Sequence, residues 1–249
     1  MTTMLAWPEG YALREWHEID STNEEARRLA AASERGPVWL RADRQTAGRG
    51  RRGRTWESPA GNLAATLLIA PEKPAAEAAQ LSFVTAIAAA DAASTFAPSA
   101  EIKVKWPNDI LAGGKKLAGI LLESASGSDR IPTYLAIGVG MNLSHYPTDT
   151  EFPATSLASF NVAVPSPSRA LTQLAAHFAK WYDVWMKAGF APIHDAWITR
   201  AAGLGTRIRA RLTHEETSGV FEGIDDTGAL ILREAQGRTR VIAAGEVFF

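Results

Sequence analysis

At Gly203 and Gly205 the chain changes its hydrophobic period, and that switch limits the architectures open to it. Beyond it lie "TRIRARL", "TSGVFEGI", "GALILRE" and "TRVIAAGEVFF", short runs that alternate apolar and polar residues, with "DDTG" as one turn. Period-two alternation belongs to half-buried strands, so this tail of about 45 residues predicts a small antiparallel barrel. Before the switch, helical and strand periods intermix, which predicts an α+β unit. The expected division is residues 1–203 and 204–249.

Within the first unit, "DSTNEEARRLAAASERG" reads as a helix opened by a capping box, Ser21 reaching Glu24, and ended at Gly36. "VWLRAD" and "NLAATLLIA" follow as strands, the second buried. Pro71 and Pro74 lead into a long helix over about 75–97, with Leu81, Val84, Ala88 and Ala92 as its apolar stripe. "IKVKW", "DILA", "KLAGILLES" and "TYLAIGVGMNL" are four β-rich runs, and "AGGKK" between two of them predicts a tight hairpin, because paired glycines accept positive φ. "SRALTQLAAHFAKWYDVWMKAG" is helical, and its stripe of Leu171, Leu174, Phe178, Trp181 and Trp185 reads as core. A shorter helix, about 191–202, completes the set.

Composition narrows the function. With 46% hydrophobic and 21% charged residues the chain is ordinary for a folded protein. It has no cysteine, which excludes disulfides, thiolate metal sites and thioester chemistry. The opening "MTTMLAWPEGYALREWHEID" has no apolar core of signal-peptide length, and no segment is apolar enough to span a membrane, so a cytoplasmic protein is expected.

Against a net charge of −1, "QTAGRGRRGRTWESP" at 45–59 concentrates Arg49, Arg51, Arg52 and Arg54 among Gly48, Gly50 and Gly53 and closes on Trp56. Glycines let backbone approach a ligand, and guanidinium forks suit carboxylate or phosphate. The segment lacks the ending of a P-loop and the spacing of a dinucleotide fingerprint. Two readings compete: a nucleic-acid patch, or a loop closing over a phosphorylated small molecule. The neutral body weighs against the first. A second cluster is "KVKWPNDILAGGKKLAGILLES". Lys103 and Lys105 are expected to alternate outward, Asn108 and Asp109 suit a turn, and Lys115 and Lys116 occupy a hairpin, where lysine is usually exposed. In a third, Gly138 and Gly140 interrupt a buried strand ahead of Asn142, a mark of close approach.

In order and spacing, "DSTN" at 20–23, "QTAGRGRRGRTW" at 45–56, "KWPNDI" at 105–110, "KLAGILLE" at 116–123 and "GVGMNLS" at 138–144 closely resemble the biotin–protein ligases (holocarboxylase synthetases), with "ATSL" at 154–157 a looser echo. The resemblance implies a central mixed β-sheet flanked by helices and a small C-terminal SH3-like β-barrel. It also implies a two-step reaction: biotin and MgATP give biotinyl-5′-AMP and pyrophosphate, and a lysine of a biotin carboxyl carrier domain then takes the biotinyl group. No permanently bound cofactor is expected.

By the same resemblance Lys116, Arg51 and Asp109 are catalytic, with Asp109 a candidate for Mg²⁺. Biotin is expected on Ser21, Thr22, Asn23, Gln45, Arg49 and Gly50, and on Arg51, Trp56, Lys116, Gly119 and Gly138. ATP or the adenylate is expected on Arg49, Arg51, Arg52 and Arg54, and on Lys105, Asn108, Lys116 and Asn142. Ser21 thus has two readings, helix cap and ligand contact. Members that double as repressors carry a winged helix-turn-helix, and only about 20 residues precede "STN" here, so no DNA binding is expected. A homodimer through a sheet edge near 130–143 is a further expectation. The alternatives are a lipoate or octanoate ligase of the same fold and, from another class, a nucleic-acid binder using the arginines.

Overall fold

The chain before Gly203 builds a seven-stranded sheet and the chain after it a five-stranded one, in a computed structural model that describes residues 4–125 and 130–249. The first part runs β1 (Ala12–Ile19), α1 (Thr22–Ala31), β2 (Val38–Gln45), β3 (Leu63–Ile69), α2 (Ala75–Ala78), α3 (Leu81–Phe96), β4 (Ile102–Lys105), β5 (Asp109–Ala112), β6 (Lys115–Ala125), β7 (Tyr134–Met141), α4 (Pro167–Ala188) and α5 (Ala191–Ile198). Its strands lie in the order β1-β2-β3-β7-β6-β5-β4, with β1 and β2 parallel across α1 and the other neighbours antiparallel. The sheet is therefore mixed, as expected.

Pleating sends alternate residues to opposite faces. On one face Ile137, Val139 and Met141 join Leu63 and Leu67 beneath α3 and α4. Leu171, Leu174, Phe178 and Trp185 are buried there, and Trp181 is partly so, which is the core role expected of them. Each such fully buried side chain contributes about 1.5–3 kcal/mol. On the other face α1 covers one end only, laying Ala26 and Ala30 on Val38, Leu40, Leu68 and Ala136. Beyond Ala136 the residues of β7 on that face are Gly138 and Gly140, so nothing fills the space above them from below.

The second sheet comprises β8 (Arg207–Arg211), β9 (Glu216–Ile224), β10 (Leu230–Arg233), β11 (Thr239–Ile242) and β12 (Glu246–Phe248), ordered β11-β10-β9-β8-β12. Its outer strands are consecutive in the chain, joined by Ala243–Gly245. Four strand spacings in a flat sheet make about 19 Å, and four Cα–Cα steps reach at most about 15 Å. The sheet must therefore curl, and a barrel-like form follows from connectivity alone. It is tied to the first part where Trp106 Nε1 donates to Gly228 O at 2.9 Å, and the segment leading into it is held by the backbone bonds of Val104 with Arg200 and Ala202. No helix among the described residues is long and apolar enough to cross a membrane.

Four expectations change. Ser33, at φ 71°, takes the left-handed position that closes α1, and Gly36 lies past it. The helix expected over 75–97 is interrupted at Ala79–Gln80, and α5 stops at Ile198. β7 is paired on both sides, so residues 134–141 offer no free sheet edge. The expected glycine hairpin is present: Gly113 and Gly114 join β5 to β6 at φ 56° and 76°.

Candidate active site

The uncovered half of the sheet face is a cavity of about 420 Å³, within the range of small-molecule sites. β6 and β7 floor it, the segments 45–57 and 147–154 flank it, and β12 closes it from the small sheet. The floor allows close approach. A Cβ on Gly140 would lie 2.3 Å from the Trp56 indole, and one on Gly138 would lie 2.3 Å from Asn23 Oδ1, so only glycine lets these side chains rest on the sheet. Trp56 reaches it because the Arg/Gly segment folds back on itself: Gln45 pairs with Ser58, Arg49 with Thr55, and the Trp56 N–H donates to Gly48 O at 3.0 Å.

One end of the cavity is neutral. Ser21 caps α1, its hydroxyl accepting from the Glu24 N–H at 3.5 Å, while its own N–H goes to Asp20 Oδ1 at 2.7 Å. The reciprocal half of a capping box is thus absent, because Glu24 turns to Arg27 and Arg49. A hydrogen bond from Arg28, with further help from the Ser21 N–H, holds Asp20 down at about 2 against its modest desolvation. The Thr22 N–H donates to Gln45 Oε1 at 2.8 Å, and the Gln45 amide donates to Ser58 at 2.7 Å. Thr66, fully buried, stands 2.7 Å from Thr22 Oγ1 and 2.6 Å from Asn23 Oδ1.

The other end is charged. Lys116 Nζ lies 2.7 Å from Asp109 Oδ1, and Lys105 Nζ lies 3.6 Å from Oδ2. Lys105 does not point outward as expected: it is 6% exposed, with its ammonium 3.9 Å from the Phe152 ring centre. Burial pulls its pKa below the ordinary lysine range and the Lys116 charge adds to this, while Asp109 resists it. Burial also pulls Arg51 down; its Nη1 donates to Asn108 Oδ1 at 3.2 Å and to Gly245 O at 3.3 Å. Asn108 lies in the turn expected between β4 and β5, and its amide donates to Ile120 O at 2.6 Å. Asn142, buried, donates to Thr155 O at 3.0 Å, and Thr155 N–H in turn bonds Lys116 O, so "ATSL" braces both residues.

Lys116 faces inward because of a β-bulge. Leu111 pairs with Lys116 but Ile110 pairs with Ala118, leaving Leu117 as an extra residue on β6. Leu117 and Ala118 both enter the core, and Lys116 comes round to the face of Gly119. Without the bulge, strict alternation from Gly119 would send it into the core.

Every site residue expected from the sequence lines the cavity except Arg52, which turns toward Glu246 at 3.7 Å. Arg54 lies 2.7 Å from the same carboxylate. Burial works to raise the pKa of Glu246, but the Arg54 hydrogen bond and the charges of Arg54, Arg52 and Arg51 hold it below the usual range. Thr66, Glu123, Phe152 and Glu246 were missed. Thr66 is the lone polar residue of β3, and Glu123 stands four positions after Gly119 on one strand face, so both left a signal. Phe152 left none. Asp109 faces two ammonium groups, and among the described residues no three acids or histidines gather as metal ligands, so the donor set does not fit a resident Mg²⁺.

A family profile described as the biotin/lipoate A/B protein ligase family matches residues 17–142, and one described as the biotin protein ligase C terminal domain matches residues 203–249. The biotin--[acetyl-CoA-carboxylase] ligase of Paracoccus denitrificans is 48% identical over 236 residues, which cover 92% of this chain and 97% of that protein. This chain belongs to the biotin/lipoate A/B protein ligase family. The bifunctional ligase/repressor BirA of Bacillus subtilis is 35% identical across 92% of this chain and 72% of its own length. The Aquifex aeolicus biotin protein ligase, solved in complex with biotin and ATP, superposes with a TM-score of 0.79 at 26% identity, covering 95% of this chain and 97% of the other. In this family member the neutral and charged ends share one glycine floor, with Trp56 between them and Lys116 Nζ 5.5 Å from its ring centre.

Proposed function

We infer that this chain is an ATP-dependent ligase that activates biotin as biotinyl-5′-AMP and transfers it to a lysine of a biotin carboxyl carrier domain. The observation that carries the reading is the pairing of Lys105 and Lys116 with the one carboxylate of Asp109, with Arg51 beside them on Asn108, at one end of a cavity whose other end is neutral. A carboxylate attacking a triphosphate is anion meeting anion, and it proceeds where fixed positive charge faces the reacting oxygens. A ureido head carries no charge, and it is selected by neutral groups whose pairing fails with other ligands. Thr22, Gln45 and Asn23 supply these, within reach of a floor of glycine and tryptophan.

In the first step the biotin carboxylate oxygen bonds to the α-phosphorus and the bond to the β-phosphate oxygen breaks, releasing pyrophosphate. Lys116 lies where it can bridge the two anions. Lys105, buried beside it, faces the departing phosphates, and Asp109 keeps both ammonium groups aimed. Divalent metal arrives with the nucleotide as part of that substrate and neutralises phosphate charge. In the second step the acceptor amine attacks the acyl carbon, a C–N bond forms, AMP leaves, and one amine proton is lost. Trp56 and the arginine segment above the anhydride keep water from competing.

The division into a catalytic unit, residues 1–203, and a small barrel, residues 204–249, belongs to this reading: Gly245 and Glu246 of the barrel hold Arg51 and Arg54 of the loop. The place of action is the cytoplasm, where ATP and carboxylases meet. The test is biotin-dependent ATP–pyrophosphate exchange without acceptor protein, repeated with lipoate and octanoate. Exchange with biotin alone is the expected result. Exchange with lipoate only reassigns the acid, and silence with all three from folded protein overturns the reading.

A further inference from the structure

Glu123 links Asn23 of the neutral end to Arg49 of the Arg/Gly segment. One carboxylate oxygen accepts from the Asn23 amide at 2.8 Å, and the other lies 3.4 Å from Arg49 Nη2. Pleating places it on the cavity face of β6, beyond Gly119 and Leu121. Glu24 approaches Arg49 as well, its Oε2 at 3.5 Å while its Oε1 takes a bond from Arg27 at 2.7 Å, so two carboxylates hold Arg49 and Glu123 is the one that also reaches Asn23. Among the described residues Arg49 is the one cation within ion-pair distance of Glu123.

The wiring behind Asn23 has a direction. Asn23 Nδ2 donates to Glu123, so its Oδ1, 2.6 Å from Thr66 Oγ1, receives the single hydroxyl proton of Thr66. Thr66 then accepts from Thr22 at 2.7 Å, while Gln45 Oε1 is satisfied by the Thr22 N–H. The Thr22 proton has a second acceptor, Gln45 Oε1 at 3.0 Å, and with the proton there Thr66 turns its own proton to Thr22, leaving Asn23 Oδ1 without a donor. A ligand bonded at Thr22 and Gln45 selects one arrangement. That arrangement fixes Asn23, Asn23 fixes the Glu123 carboxylate, and a fixed carboxylate holds Arg49 at the base of the Arg/Gly segment.

We propose that Glu123 is a positioning residue that couples occupancy of the neutral end to closure of the Arg/Gly segment over the cavity. This rests on the biotin reading of the neutral end. Coupling is reciprocal, so closing the segment raises ligand affinity by the factor by which ligand raises the closed-to-open ratio of the segment.

The segment carries its own probe, since trypsin cleaves after Arg49, Arg51, Arg52 and Arg54. Cleavage rates with and without biotin are to be compared in the wild type, Glu123→Gln, Arg49→Gln and the double variant, with biotin-dependent pyrophosphate exchange run on the same samples. Glutamine keeps the shape and an acceptor for Asn23, so the fold stands while the ionic link from Glu123 to Arg49 goes and that from Glu24 remains. The expected result is a loss of about fivefold in the protection given by biotin in each single variant, a matching rise in release of the acyl-adenylate, and no further loss in the double variant. Wild-type protection in Glu123→Gln, or losses that multiply in the double variant, overturn the coupling while exchange leaves the ligase reading intact. Absence of exchange in the wild type removes the reading and the coupling together.

Discussion

The two ends of the cavity are held by opposite means. At the neutral end, Thr22, Asn23, Gln45 and Thr66 sit on α1, β2 and β3, beside the buried contact of α1 with the sheet, and they bond to one another. At the charged end the groups come from four separated places: the Arg/Gly segment, β4, the β5–β6 hairpin and β12. The difference follows from what each end handles. A neutral head must be matched by donors and acceptors that do not move, because an unmade bond in a dry site costs about 1–3 kcal/mol. On the proposed reading phosphate charge enters and leaves at the other end, where Lys105 and Lys116 share one carboxylate and remain available to the ligand.

If the ends are separable, substitutions should divide accordingly. Lys116→Ala is expected to lower biotin-dependent pyrophosphate exchange by about 10²–10³-fold, with biotin affinity by calorimetry changed less than about tenfold. Equal losses in both would show that the ends act as one. Gly138→Ala places a methyl 2.3 Å from Asn23 Oδ1 and displaces it. Steady-state exchange should show KM for biotin raised about thirtyfold and kcat nearly unchanged. Thr66→Val keeps the volume and removes the proton that Asn23 receives. A rise in KM for biotin of about tenfold, with a lower Tm in a thermal melt, is expected.

The smallest effect is one of pH. Lys105 acts in its protonated form, and burial lowers its pKa, so it loses its proton before an ordinary lysine would as pH rises. The alkaline limb of the kcat/KM profile for ATP should therefore begin below the usual lysine range. Lys105→Arg should move that limb upward, and a limb that stays in place would assign it to another group.

Much of this arrangement is legible along the chain, because it rests on local rules. Paired glycines at 113 and 114 require a tight hairpin, the glycines at 138 and 140 mark close approach in a buried strand, and the arginines among glycines do not suit an α-helix or an apolar core. The small barrel announces itself by its period-two alternation. Local reading fails where a residue's environment is made by distant chain. Alternation alone correctly keeps Lys103 and Lys105 on one face, yet it takes that face to be solvent, whereas Phe152 and Phe248 cover Lys105. Glu246, 192 positions from Arg54, becomes its partner only because the barrel curls back against the larger sheet.

The sequence by itself determined the periods, the turns and the kinds of side chain available, since these depend on neighbours a few residues away. Tertiary structure alone decided which face of a strand is inside. It turned Lys116 inward through one extra residue at Leu117, made β7 an interior strand instead of an edge, and set one carboxylate, Asp109, between two ammonium groups. Those outcomes depend on register and on contacts between segments far apart in the chain, and a one-residue change of register reverses every face beyond it.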